Sequence, residues 1–121
     1  MNIRMTITSM LAAWALFGFV PVATAHEDEV STIITEEDIE YTPEEQVVHV
    51  GHPIRVVNKD PFEHKSRVTE QLVGGGLGHI ALKDHIDKPG TSYTFKLDKP
   101  GTYEIRCLIH DGMTATIKAI Q

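Results

Sequence analysis

Residues 100–120 read Pro-Gly-Thr-Tyr-Glu-Ile-Arg-Cys-Leu-Ile-His-Asp-Gly-Met-Thr-Ala-Thr-Ile-Lys-Ala-Ile. In the first half Tyr103, Ile105 and Cys107 alternate with Glu104 and Arg106, the two-residue period of a half-buried strand. Cys107 therefore shares a face with core residues. Thr114 to Ile120 is a second run rich in β-branched residues. Between the two strands lies a short loop that carries Cys107, His110 and Met113 in a Cys-x2-His-x2-Met spacing, so a thiol, an imidazole and a thioether fall on one turn.

Outward from this segment the same texture continues. Short runs rich in Val, Ile, Thr and Tyr are separated by turn signals, which gives candidate strands at Ser31–Thr35, Gln46–Val50, Ile54–Asn58, Ser66–Leu72, Ser92–Leu97, Thr102–Cys107 and Thr114–Ile120. No segment has the length and period of an amphipathic helix, so the expected class is an all-β sandwich. Two copies of Asp-Lys-Pro-Gly, at 87–90 and 98–101, place Pro and Gly as a type II turn wants them. Residues 70–90 are the least regular stretch, and Gly74-Gly75-Gly76-Leu77-Gly78 within it lacks the Lys-Ser/Thr that a phosphate loop requires, so it is expected to be a flexible connection.

The amino terminus reads as an export signal. Arg4 supplies a short positive region, Met10 to Val20 is apolar but too short to span a bilayer comfortably, and Ala23-Thr24-Ala25 is a small-x-small cleavage pattern. Residues 1–25 are thus expected to be a cleaved secretory signal peptide, and residues 26–121 a single domain. With Arg4 removed, ten Lys and Arg face 17 Asp and Glu, a net charge of −7, which argues against nucleic acid as a partner. Nine of those acids fall in residues 26–54, where there is no Lys or Arg; the run is expected to be a solvated face or a docking patch for a basic partner. Cys107 is the single cysteine, so no disulfide framework is available.

An unpaired thiol in an exported domain needs an occupant. Cys107, His110 and Met113, joined by a second imidazole, form the soft donor set that suits copper in both of its oxidation states.

The chain resembles the small blue copper proteins, the pseudoazurin, plastocyanin and amicyanin group of cupredoxins. The resemblance rests on Tyr41-Thr42-Pro43, on Gln46 to Gly51 and Ile54 to Asn58, on Pro100 to Cys107, and on the ligand loop, whose spacing is closest to amicyanin. It implies a Greek-key β-sandwich of about seven to eight strands and one copper held by His64, Cys107, His110 and Met113. His64 follows Asn58 in the place of the remote ligand. His52 precedes Ile54–Asn58, a strand of five residues at ~3.3 Å each, and so falls near the other end, as does His49. His79 and His85 lie in the irregular stretch, where strand geometry does not discriminate against them. A binding role for His26, His49, His52, His79 or His85 at a second metal stays open.

Three positions depart from the family pattern. Lys65 stands where an Asn or Ser usually ties the ligand loops together. Ile109 replaces a Pro before His110, and its restored N–H would raise the copper potential if aimed at the Cys107 sulfur. Asp111 puts an acid beside the exposed ligand. The resemblance implies a monomeric periplasmic one-electron carrier, not an enzyme, that meets redox protein partners such as a cytochrome or a dehydrogenase and has no membrane span after cleavage. The alternative function is a periplasmic copper-binding protein for tolerance, sequestration or delivery.

Overall fold

A computed structural model describes residues 16–23 and 32–121 of the chain. The expected cleavage after Ala25, the new terminus at His26 and the acids at 27–29 lie outside the described residues. Nine strands follow in order: β1 (Thr32–Glu37), β2 (Glu40–Thr42), β3 (Glu45–His49), β4 (Ile54–Asn58), β5 (His64–Gln71), β6 (Leu77–Asp87), β7 (Ser92–Phe95), β8 (Gly101–Cys107) and β9 (Thr114–Ile120). They build a four-stranded sheet in the order β2-β1-β4-β7 and a five-stranded sheet in the order β3-β9-β8-β5-β6. Both are mixed: β1 runs parallel to β4 and β3 parallel to β9, and the other pairs are antiparallel. The described residues include no helix, and the fold is a Greek-key β-sandwich.

Inward positions alternate as the sequence pattern requires. Ile34 on β1, Ile54 and Val56 on β4, Val68 on β5, Tyr103 and Ile105 on β8, and Ala115, Ile117 and Ala119 on β9 fill the space between the sheets. Removing such side chains from water supplies the main stabilisation, on the order of 1.5–3 kcal/mol for each large one.

Two strands were not among the seven expected. β2 is three residues long and leaves almost no pattern. β6 occupies the stretch expected to be a flexible connection, and it is the longest strand of all. Its pairing with β5 slips at three places, between Ser66 and Val68, Val68 and Thr69, and Thr69 and Gln71. Each slip resets the alternation, so partly covered Ala81 and Leu82 stand side by side between exposed pairs at 79–80 and 83–84. A period-2 search fails on such a strand because bulges insert extra residues. The expected turns also separate: Thr91 N–H donates to Lys88 O (3.2 Å) and Gly90 has φ 71°, as a type II turn demands. Gly101, at φ 154°, instead opens β8, and the Lys99 carbonyl accepts the Tyr103 hydroxyl (2.8 Å).

At one end of the sandwich the inward face turns from apolar to polar. Ile34 gives way to Glu36 on β1, Val56 to Asn58 on β4, Val68 to Ser66 and His64 on β5, and Ile105 to Cys107 on β8. Glu36 is 0% exposed, so the acidic run is not wholly a solvated face, although Glu37, Asp38, Glu40, Glu44 and Glu45 are exposed. The Ser66 hydroxyl lies within hydrogen-bonding distance of Tyr41 Oη (2.7 Å), Glu36 Oε1 (2.9 Å) and an Asp87 carboxylate oxygen. Ser66 has one proton and faces two carboxyl groups, so a further proton is needed between them. Burial, followed by the hydrogen bond to Asp87, pushes the Glu36 carboxyl up to about 9.

That shift predicts a pH dependence. A carboxyl raised on folding favours the folded state fully below its unfolded value near 4.5, and the advantage is lost as pH climbs through about 9. The stability of the metal-free protein should fall between these limits by up to about 1.4 kcal/mol per pH unit from this group. Glu36→Gln, which keeps a donor for Asp87, should flatten the profile in urea titrations from pH 5 to 9. Identical slopes for the two proteins would show that Glu36 ionises freely in the fold.

Candidate metal centre

The polar end of the sandwich is where His64, Cys107 and His110 meet. His64 opens β5 and Cys107 closes β8. Those strands pair antiparallel with Ser66 opposite Cys107, so His64 lies just past the end of β8, above the loop that carries His110. Leu108 N–H donates to Lys65 O (2.8 Å), and Cys107 N–H donates to Met113 O (3.0 Å), which closes the loop on itself. Gly112 turns it at φ 78°, a conformation that disfavours side chains.

Within this frame Cys107 Sγ is 3.4 Å from His110 Nδ1 and 3.8 Å from His64 Nδ1, and the two Nδ1 atoms are 3.1 Å apart. One donor atom from each residue lies within 4.8 Å of the other two. Met113 is buried in the same cluster as Cys107. His64 is fully buried, whereas His110 is half-buried and reaches the surface beside Phe62, with ring centroids 5.7 Å apart. Phe62 and Ile109 are 39% and 52% exposed, so an apolar rim surrounds the ring edge, and Asp111 is exposed next to it.

The second ring nitrogen of His64 is also committed. Its Nε2 lies 2.8 Å from Asp60 Oδ2. Burial alone would raise the Asp60 carboxyl, but hydrogen bonds from His64 and from the N–H groups of Ile39 and Asp38 outweigh it and hold the group below the usual carboxylate range. An ionised carboxylate only accepts, so Nε2 carries a proton, and in the neutral ring Nδ1 then presents its lone pair to His110 and Cys107. Two imidazole nitrogens and a thiol sulfur converging this closely, with one lone pair fixed inward, suit a soft cation. The donor set therefore fits copper.

The other histidines are placed elsewhere. His49 and His52 flank the β3–β4 turn, 5.6 Å apart by ring centroid, and His49 Nδ1 lies 3.0 Å from Gln121 O. His79 pairs with Glu70 (3.1 Å). His85 is engaged by Asp87 and stacks on Tyr93 at 3.8 Å. None of the four joins the cluster.

Lys65 does not leave the ligand loops untied, because its backbone carbonyl makes the link to Leu108. The Ser66 side chain does not substitute; it turns to Tyr41, Glu36 and Asp87. The polar atoms found around Cys107 Sγ are the ring nitrogens of His64 and His110, and the Ile109 N–H is not among them. The expected rise in potential from that N–H therefore has no geometric basis.

Sequence reading missed Asn58 and Asp60 as site-builders. Asn58 Nδ2 donates to Phe62 O (2.9 Å) and Asp87 O (2.8 Å), and its Oδ1 accepts from Asp60 N–H (2.9 Å). The one available signal was local: an Asn two residues before an Asp favours such side-chain-to-backbone turns.

The family model of copper binding proteins, plastocyanin/azurin family, matches residues 28–119. A plastocyanin of Ginkgo biloba is 31% identical over 80 residues, covering 63% of this chain and 81% of the plastocyanin. Amicyanin of Paracoccus denitrificans is 26% identical over 97 residues, covering 80% of this chain and 71% of the amicyanin. A solved structure of an oxidised amicyanin variant superposes with a TM-score of 0.62 at 20% identity, over 75% of this chain and 83% of that one, and so shares the fold. The chain belongs to the plastocyanin/azurin family of copper-binding proteins, the cupredoxins, and its cofactor is copper.

The loop before His64 hangs on Asn58, so Asn58→Ala should cost about 2–4 kcal/mol, as three hydrogen bonds are lost and the buried Asp87 carbonyl and Asp60 N–H are left unpaired. Urea denaturation of the metal-free protein measures it; a loss below about 1 kcal/mol would show that the loop is held by other contacts.

Proposed function

We propose that the chain is an exported periplasmic one-electron carrier in which His64, Cys107, His110 and Met113 hold a single copper. The observation that carries this reading is the convergence of one buried thiol and two imidazole Nδ1 atoms at the polar end of a rigid sandwich. Bound there, copper supplies a Cu(II)/Cu(I) couple whose two states accept this donor set with little rearrangement.

The protein's own residues do the rest. The paired ends of β5 and β8 fix His64 and Cys107 so that neither relaxes when charge changes. Core residues around Cys107 and Met113 exclude water from the sulfurs. The half-buried His110 ring offers the electron a route to the surface, and Phe62 and Ile109 give a redox protein, a cytochrome or a dehydrogenase, an apolar surface to dock on, with the exposed acid Asp111 beside it. Export is supported by the signal-like residues 1–25; on this reading the mature domain spans residues 26–121 and acts as a monomer. We read the chain as non-enzymatic.

The mature protein should bind one copper per chain and, when oxidised, show an intense thiolate-to-Cu(II) absorption that Cys107→Ser removes. His64→Gly should open a position that added imidazole refills. Persistence of the colour in Cys107→Ser would overturn the ligand assignment. Reversible voltammetry with copper retained supports the carrier, whereas surrender of Cu(I) to a mild chelator would favour copper delivery instead.

A further inference from the structure

Asp60 makes contacts that go beyond supporting a loop. Its side chain is 5% exposed and takes three hydrogen bonds: Oδ1 accepts from Asp38 N–H (2.8 Å), and Oδ2 accepts from Ile39 N–H (3.1 Å) and from His64 Nε2–H (2.8 Å). Held at both oxygens, it cannot rotate away from the imidazole.

The β1–β2 turn it grips is strained. Asp38 and Ile39 have φ of 56° and 61°, the left-handed region that a two-residue hairpin turn of this hand needs and that a β-branched residue strongly disfavours. Asn-Gly is the usual occupant; here Asp-Ile persists, with both of its N–H groups bound to Asp60. The Asp60 N–H is itself bound by Asn58. One carboxylate thus fastens a turn of the four-stranded sheet to an imidazole of the five-stranded sheet, across the open end of the sandwich.

A charged acceptor on the far nitrogen of a metal-bound imidazole does two things. It fixes the tautomer, so that the near nitrogen presents a lone pair. It also adds negative charge in a dry setting and makes the ring a stronger donor, which favours the more highly charged metal ion. We propose that Asp60 is a positioning residue of the copper centre, whose carboxylate aims His64 Nδ1 into the site and biases the couple toward Cu(II). The proposal rests on His64 being a copper ligand. It adds that a charged side chain, through that ligand, sets the potential.

The test is Asp60→Asn in the copper-loaded full domain, made alone and together with Ile39→Gly, which relieves the turn so that loss of its anchor does not unfold the protein. Asn keeps a neutral acceptor for Nε2–H and removes the charge. With the thiolate-to-Cu(II) band intact, spectroelectrochemistry at fixed pH should show the equilibrium moving about tenfold toward Cu(I), a rise of ~59 mV for one electron. Ile39→Gly alone should leave the potential in place. An intact band with a shift under twofold in both backgrounds overturns the proposal. A wild-type protein with no such band overturns the ligand assignment instead, so the two failures are distinct. Should neither Asp60 variant fold, the wild-type Cu(I) protein decides by NMR: a slowly exchanging His64 Nε2–H supports the proposal, and an Nε2 without a proton sinks it.

Discussion

The register of β5 against β8 is the constraint from which the rest of the site follows. With Ser66 opposite Cys107, the last inward residue of one strand and the first of the other arrive at the same edge, and Lys65 O meets Leu108 N–H as the chain leaves the sheet. A slip of one residue would turn His64 and Ser66 to solvent and bring Lys65 and Arg67 inward, since side chains alternate with a period of two. Val68, Ile105 and Tyr103 oppose such a slip by their burial, so the apolar core fixes the geometry of the polar end.

The polar end is costly to build and is satisfied almost completely. Buried polar groups destabilise unless they are paired. Asn58, Asp60, Ser66, Asp87 and Tyr41 are each bonded, in a network that spans both sheets. Among the described residues the Tyr93 hydroxyl lacks a protein partner, and so does Glu36 Oε2 unless the proton between Glu36 and Asp87 sits on it. Both lie near Ser66 and Asp87. The interior is thus divided in two: an apolar slab that supplies stability, and a hydrogen-bonded cap that supplies orientation.

How much of this the sequence revealed depends on how local the signal was. The strands at Ile54–Asn58 and Thr114–Ile120 were legible to the residue, because regular pairing keeps alternation intact. Cys107, His110 and Met113 announced themselves by spacing, and a strand-length argument placed His52 away from the site. β6 was hidden because its alternation changes phase where the pairing with β5 slips. Glu36 was hidden for a different reason: in a run of acids nothing distinguishes the one that faces inward except strand phase, and charge is a poor guide to burial. Asp60 was hidden because its three partners come from Asp38, Ile39 and His64, a convergence only the tertiary fold creates.

The irregularity of β6 bears on how the protein behaves when crowded. An eleven-residue strand on the open side of a five-stranded sheet presents a row of free amides and carbonyls, the template on which a second molecule could extend the sheet. The slips in pairing coil this strand, and Lys83 and Asp84 project from its middle, with Asp84 held by Arg67 at 2.7 Å. A flat partner strand would find neither a straight ladder nor an uncharged one. The distortion that hides the strand from sequence analysis thereby makes it a poor template for a neighbouring molecule's strand.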